Sequence, residues 1–461
     1  MILLGLLALA LAARAQENPC ALAPTEAARI MCHQLYKSDK AARAHVGEEM
    51  NALPPLMEAT VAGYRAIFAA QAPIANSIYE CMDLPCLCPY LKGHLAPNGD
   101  CTLPNKQLLK KAVRKELRML SDDELQRYHA AVQTLKNNGE YDRISRIHQH
   151  STVVGGAHAG PAFLPWHREL IKRFELALRQ VDPSLSLPYW DSTLEAALDR
   201  RADSALFSAA MEGGTDEQGM VNSGPYVNFR TLEGRPNIKR AVGAQGVPMK
   251  QTYIDFVMRQ SQVDQVLVFS APGEDCPYRT HYDYLEYTHG YVHIFVGGDM
   301  LEISTSANDP IFFPHHSFID FIWEQWRQQR QTRADRETLY PPDNELCASP
   351  KHFAAAPMIP FLPMRNIDGL SNNYTDNLYE YAARPFCTHA LPDCGSNKYV
   401  RGEAPCLNGS CQRGRCVAAS GQVIAPAPPP PVSPAPQNAQ VLTPTPLPLA
   451  SIGAIIADND S

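Results

Sequence analysis

Six histidines fall into two groups of three, each inside an apolar, helix-patterned stretch of this 461-residue chain. His148, His158 and His167 lie in IHQHSTVVGGAHAGPAFLPWHREL. His289 and His293, four residues apart in THGYVHIF, are joined by His316 from NDPIFFPHHSFIDFIW. Neutral imidazole is a borderline ligand that suits copper, zinc, iron and nickel, and three per site leave a position open for substrate. Two all-nitrogen sites of this kind point to a copper pair that binds dioxygen. His150 neighbours His148, and His315 precedes His316, so the residues alone leave both choices open.

The elements that must hold these rings are helices. Ser121 and Glu124 form a capping box ahead of Leu125, Tyr128, His129, Val132 and Leu135, and Asn137-Asn138-Gly139 stops that helix. His129 reads as a core or boundary histidine. A second helix is expected from about Trp166, with His167, Leu170, Ile171, Phe174, Leu178 and Val181 on one face, ending before Asp182-Pro183. A third presents Leu285, His289, Val292 and His293, and a fourth His316, Ile319, Asp320 and Trp323. Histidines on inward faces of several helices are how a bundle builds a metal site in its core. A zinc protease would need glutamate directly after His289, where Gly290 stands. Asp320, one turn beyond His316, is placed to accept an imidazole proton and so orient the ring.

Composition bounds the class. Hydrophobic content of 45% and charged content of 19% fit a globular protein, and a net charge of −7 disfavours nucleic acid and anionic membranes as partners. The opening MILLGLLALALAARA ends in Ala13-Arg14-Ala15 and reads as a secretory signal. Its apolar run of about 12 residues is too short for the ~20 that span a bilayer. The 13 cysteines fit that secreted reading, as disulfide frameworks at the edges of a core. Cys86-Leu87-Cys88 is a weak zinc signal without a second pair. Asn373-Tyr374-Thr375 and Asn408-Gly409-Ser410 are candidate glycan acceptors.

The expected organisation is a signal peptide at 1–15, a Cys-rich N-terminal region at 16–105, the motif-bearing domain at 106–385, a small Cys-rich module at 386–420 and a tail at 421–461. That tail holds ten of the 39 prolines and reads as an extended segment unable to order itself.

FLPWHRELIKRFELALRQVDPSLSLPYWDS and SANDPIFFPHHSFIDFIWEQW resemble the type-3 dicopper proteins: tyrosinases, catechol oxidases and molluscan haemocyanins. The resemblance covers roughly residues 106–385, including RKELRMLSDDELQRY and Tyr379-Glu380-Tyr381. The Cys-rich flanks and secretory start most resemble animal, nematode-type tyrosinases. The fold implied is mainly α, an antiparallel four-helix bundle holding a dicopper centre, with long loops and small disulfide-rich flanks. The resemblance makes His148, His158 and His167 ligands of the first copper, and His289, His293 and His316 those of the second. It selects His148 over His150 and leaves His315 as a neighbour near the substrate mouth. Its chemistry is two-electron reduction of dioxygen by a copper pair, balanced by a catechol that leaves as an o-quinone.

Departures from the family refine this. Many monophenol-active members carry Asn directly after the first second-copper histidine, where it and a nearby Glu hold a deprotonating water. Gly290 stands there, with Glu286 as the candidate water-orienting carboxylate, so o-diphenol oxidation ranks above monophenol hydroxylation. Gly156 replaces the cysteine that forms a thioether in some members, so no Cys–His crosslink is expected. Ile303 and Ser306 fall at the substrate entrance. The expected partners are a small phenol and dioxygen, with extracellular matrix proteins for a tanning role. A haemocyanin-like oxygen carrier without turnover is the competing reading, and a matrix protein that has lost its metal is a third.

Overall fold

The computed structural model describes residues 19–45, 77–154, 156–196, 198, 200–384, 410–412 and 415–417. The expected signal segment, most of the C-terminal cysteine cluster and the proline-rich tail lie outside the described residues. Among the described residues, seven helices have nine residues or more: α1 (Glu26–Ala44), α2 (Asp122–Asn137), α3 (Glu140–Val154), α4 (Phe163–Val181), α5 (Gln251–Arg259), α6 (Leu285–Val296) and α7 (Phe312–Arg330). The fold is mainly α, and α3, α4, α6 and α7 are the bundle that carries the histidines.

Local chemistry sets the helix ends. Thr25 caps α1 by accepting from Ala28 N. The Ser121–Glu124 capping box starts α2, and Gly139 with φ 85° follows its Asn138 cap. α4 begins at Phe163, three residues before the expected Trp166. Pro165 does not prevent this, because a first-turn N–H has no partner to lose.

α4 packs along α7 and against α3, while α1 lies across both α3 and α6. The main core gathers Trp166, Phe174, Trp190, Phe313, Trp323 and Trp326, with the Phe174 and Phe313 rings stacked 3.6 Å apart. Strands are short. The antiparallel pair β1 (His94–Leu95) and β2 (Cys101–Thr102) belongs to the N-terminal flank. β3 (Ala112–Arg114) pairs in parallel with β4 (Tyr379–Tyr381), in register Ala112↔Tyr379, joining the two ends of the motif-bearing region. β5 (Ser410–Gln412) and β6 (Arg415–Val417) form an antiparallel pair.

Disulfides join Cys20–Cys32, Cys81–Cys86, Cys88–Cys101 and Cys276–Cys347. Cys86 and Cys88 are therefore both oxidised, which removes the zinc reading of that segment. Among the described residues no helix is long and apolar enough to cross a membrane.

Candidate metal centre

The first cluster is assembled from α3, the loop after it and α4. His148 projects from α3, His158 from the loop, and His167 from the second turn of α4. One nitrogen of each lies within 4.8 Å of the other two. His148 Nε2 and His158 Nε2 are 3.3 Å apart.

The second cluster rises from α6 and α7. The four-residue spacing stacks His289 and His293 on one face of α6, with ring centroids 4.9 Å apart. His316 Nε2 lies 3.2 Å from His293 Nε2. His315 also reaches this cluster, with one nitrogen within 4.8 Å of nitrogens of His289 and His293. Its Nε2, however, donates to the His289 carbonyl at 3.1 Å.

The donor set fits metal ions. Two ligands of a tetrahedral ion with bonds of about 2.0 Å stand about 3.3 Å apart, the separation found in both Nε2 pairs. His167 Nδ1 donates to the Phe163 carbonyl at 2.9 Å, His293 Nδ1 to that of Met300 at 3.1 Å, and His289 Nδ1 to that of Glu286. Each carbonyl places the proton on Nδ1 and leaves the Nε2 lone pair free. His167 Nε2 is buried with no hydrogen-bond partner, an orphan that a metal would satisfy. Burial keeps all six rings neutral, which is the ligating form. It pushes His167 down to about 3 and His293 to about 4, and holds His148, His158, His289 and His316 well below the ordinary value. Phe163 packs against His167 and His289, and Phe312 against His148 and His316, so aromatic walls line both clusters.

The other expected site residues divide. Ile303 and Ser306 line a cavity together with His148, His158, His289 and His293. Glu286 is buried rather than on the helix surface. Its Oε1 accepts from Ala159 N at 2.7 Å, and its Oε2 pairs with the Ser270 hydroxyl. It thus ties α6 to the loop bearing His158, and burial raises it to about 8.

Two expectations need correction. Asp320 does not orient an imidazole: His316 Nδ1 has no hydrogen-bond partner, and Asp320 accepts instead from Arg168 Nε at 2.6 Å, Tyr379 OH at 2.8 Å and Tyr381 OH at 2.6 Å. One turn along α7 turns the carboxylate toward α4 and β4 rather than toward the ring. His315 is not at the mouth. It is fully buried, stacked on His289 and edge-on to Trp190, and does not line the cavity. His129 is a boundary histidine, as expected, beside Glu212.

Met31 and Gln34 of α1 also line the cavity, and motif reading missed both. Thr25 ahead of α1 is a helix-start residue, and a helix start does not say where the helix docks. The docked helix brings Met31 against Gly290, where a Cβ would overlap Met31 Sδ. A Cβ on Gly156 would likewise overlap the Lys351 carbonyl oxygen, so the position of the crosslinking cysteine is closed to any side chain.

Residues 138–329 match the family described as the common central domain of tyrosinase. The chain is 49% identical to the tyrosinase-like protein tyr-3 of Caenorhabditis elegans over 88% of its own length and 61% of that protein's. It therefore spans about three-fifths of that relative, and similar shares of several others. It is 35% identical to the tyrosinase of Streptomyces antibioticus, over 47% of this chain and 83% of that one. A solved polyphenol oxidase of Thermothelomyces thermophila aligns at 19% identity and TM-score 0.47, over 77% of this chain and 98% of that one. With two histidine clusters that fit a type-3 copper pair, and a bacterial tyrosinase matched over most of its length, this chain belongs to the tyrosinase family.

Proposed function

We propose that this chain is a secreted copper phenol oxidase that converts o-diphenols to o-quinones with dioxygen, for pigment formation or tanning of an extracellular matrix. The observation that carries this reading is the pair of buried, neutral histidine clusters opening on one cavity. The reading takes His148, His158 and His167 as ligands of one copper and His289, His293 and His316 as those of the other. His316 is taken over His315 because its Nε2 faces that of His293 at 3.2 Å, as His148 Nε2 faces that of His158, and because the family motif coordinates through the second member of the pair; His315, whose Nδ1 is also unpaired, stands beside it. When bound, the copper pair supplies the redox chemistry with dioxygen.

The chain supplies position and exclusion of water. Backbone carbonyls hold three of the rings, and Phe163 and Phe312 keep water from the nitrogens. Ile303 and Ser306 border the approach of the phenol ring. A monophenol must lose its proton to a nearby base before it can react. Glu286 is a poor one, since both its oxygens are already engaged, by Ala159 N and the Ser270 hydroxyl. This favours diphenols over monophenols. Secretion is supported by the apolar start of the chain and by the four disulfides, which persist in oxidising compartments.

A dioxygen carrier would use the same nitrogens, and the buried Met31 side chain among the residues that line the cavity is the observation in its favour. Oxygen consumption by copper-loaded protein with catechol, L-DOPA and tyrosine tests the proposal. Sustained uptake with the two diphenols, faster than with tyrosine, is expected; reversible oxygen binding without turnover would favour the carrier.

A further inference from the structure

The central bundle does not close the cavity over the histidines by itself. α1, from outside the residues matched by the tyrosinase domain, lies across α3 and α6, the helices that carry His148 and His289. Its inner face presents Met31 and Gln34 to the cavity. Met31 is 2% exposed, and its thioether occupies the space that any side chain at position 290 would need, one residue from His289. Gln34 Nε2 donates to the Leu301 carbonyl at 2.9 Å, and Leu301 lines the same cavity.

The helix backbone is well anchored. Cys20–Cys32 ties its second turn to the preceding segment. Tyr36 OH donates to the Pro272 carbonyl at 2.9 Å, and Ser349 N to Asp39 Oδ1 at 3.3 Å. Room for a ligand must then come from side chains. Methionine is the apolar side chain best able to give way, being unbranched and flexible, and its sulfur packs well against aromatic rings. Met31 shares the lining of the cavity with four of the histidines, so what its side chain yields decides what enters.

We infer that Met31 is a specificity-determining residue: on the docked α1, it forms with Gln34 the outer wall of the phenol mouth and restricts bulky ring substituents. This deepens the phenol-oxidase reading and rests on it for the identity of the ligand. Small unsubstituted rings pass beside the displaced thioether, whereas rings with a branched substituent meet it and the fixed helix behind it.

The test uses the full copper-loaded chain and two unreactive ring analogues, benzoate and 4-tert-butylbenzoate, with binding measured by calorimetry. Values of kcat/KM for catechol and 4-tert-butylcatechol are taken on the same samples. Met31→Ala should favour the bulky member of each pair about tenfold relative to the small one, the scale of relieving a clash with a few carbon atoms. Met31→Val should shift the ratio the same way, and it serves if the alanine variant does not fold. Met31→Leu should leave the ratio within about twofold of the original. An unchanged bulky-to-small ratio in the shortened variants overturns the assignment, whatever happens to overall stability. A shifted binding ratio without turnover of either catechol would leave the wall in place and remove the oxidase reading.

Discussion

The ring of His316 stacks on that of His167, with centroids 4.4 Å apart and planes 8° from parallel. One ring of each cluster thus comes from the α4–α7 pair, and anything that shifts these helices moves both clusters at once. The helices are held by charge. Arg168 follows His167 and bonds Asp320 and Glu324 of α7, while Arg114 of β3 grips Glu175 of α4 and the hydroxyl of Tyr381.

Asp320→Ala should be costly for that reason. It leaves the buried Arg168 without one of its two carboxylates, a change expected to cost about 3–5 kcal/mol. Thermal unfolding of the metal-free chain should show a clearly lower Tm, with copper binding weakened at both clusters together. An unchanged Tm would mean that the Arg168–Asp320 pair does not brace the helices.

Glu286 gives a pH-dependent test. Its folded pKa of about 8 lies above the usual carboxyl value, so the folded state holds the extra proton. The associated stability is fully present below about pH 4.5 and is lost as pH rises through about 8. Glu286→Gln mimics the protonated acid and keeps an acceptor for Ala159 N. It should match the parent near pH 5 and exceed it in stability at pH 9. Equal stability of the two at both pH values would contradict the raised pKa.

Met31 and Gly290 should be coupled. Gly290→Asn overpacks the contact and should cost about 1–3 kcal/mol. Shortening Met31 to Ala in the same chain should recover a good part of that loss, a coupling of about 0.5–3 kcal/mol in a double-mutant cycle. Strict additivity would mean that the two residues do not touch.

Copper retention should be nearly flat from pH 5 to 8. Protons compete for an imidazole only near its pKa, and burial has moved His167 to about 3 and His293 to about 4. Metal content after dialysis across this range reads the effect directly. A sharp loss near pH 6.5 would show that the rings titrate as exposed histidines do.

The histidines and their helices were legible in the sequence because their signals are local. A capping box, an i, i+4 pair and an apolar stripe each depend on residues a few positions apart, and each appears where expected. What the sequence hid depends on how distant segments dock. Asp320 lies on the helix predicted for it, but its partners come from β4 and α4. Glu286 meets a loop that precedes it by 127 residues. Gly290 was visible only as a missing asparagine; the side chain packed on it, Met31, lies more than 250 positions upstream.

The most direct test is a metal count on the purified chain after loading with copper and removal of excess. Two copper ions per chain are expected for the parent, and one each for His167→Ala and His316→Ala, which remove one ligand from different clusters. One ion or none in the parent, or zinc retained in preference to copper, would contradict the dicopper assignment.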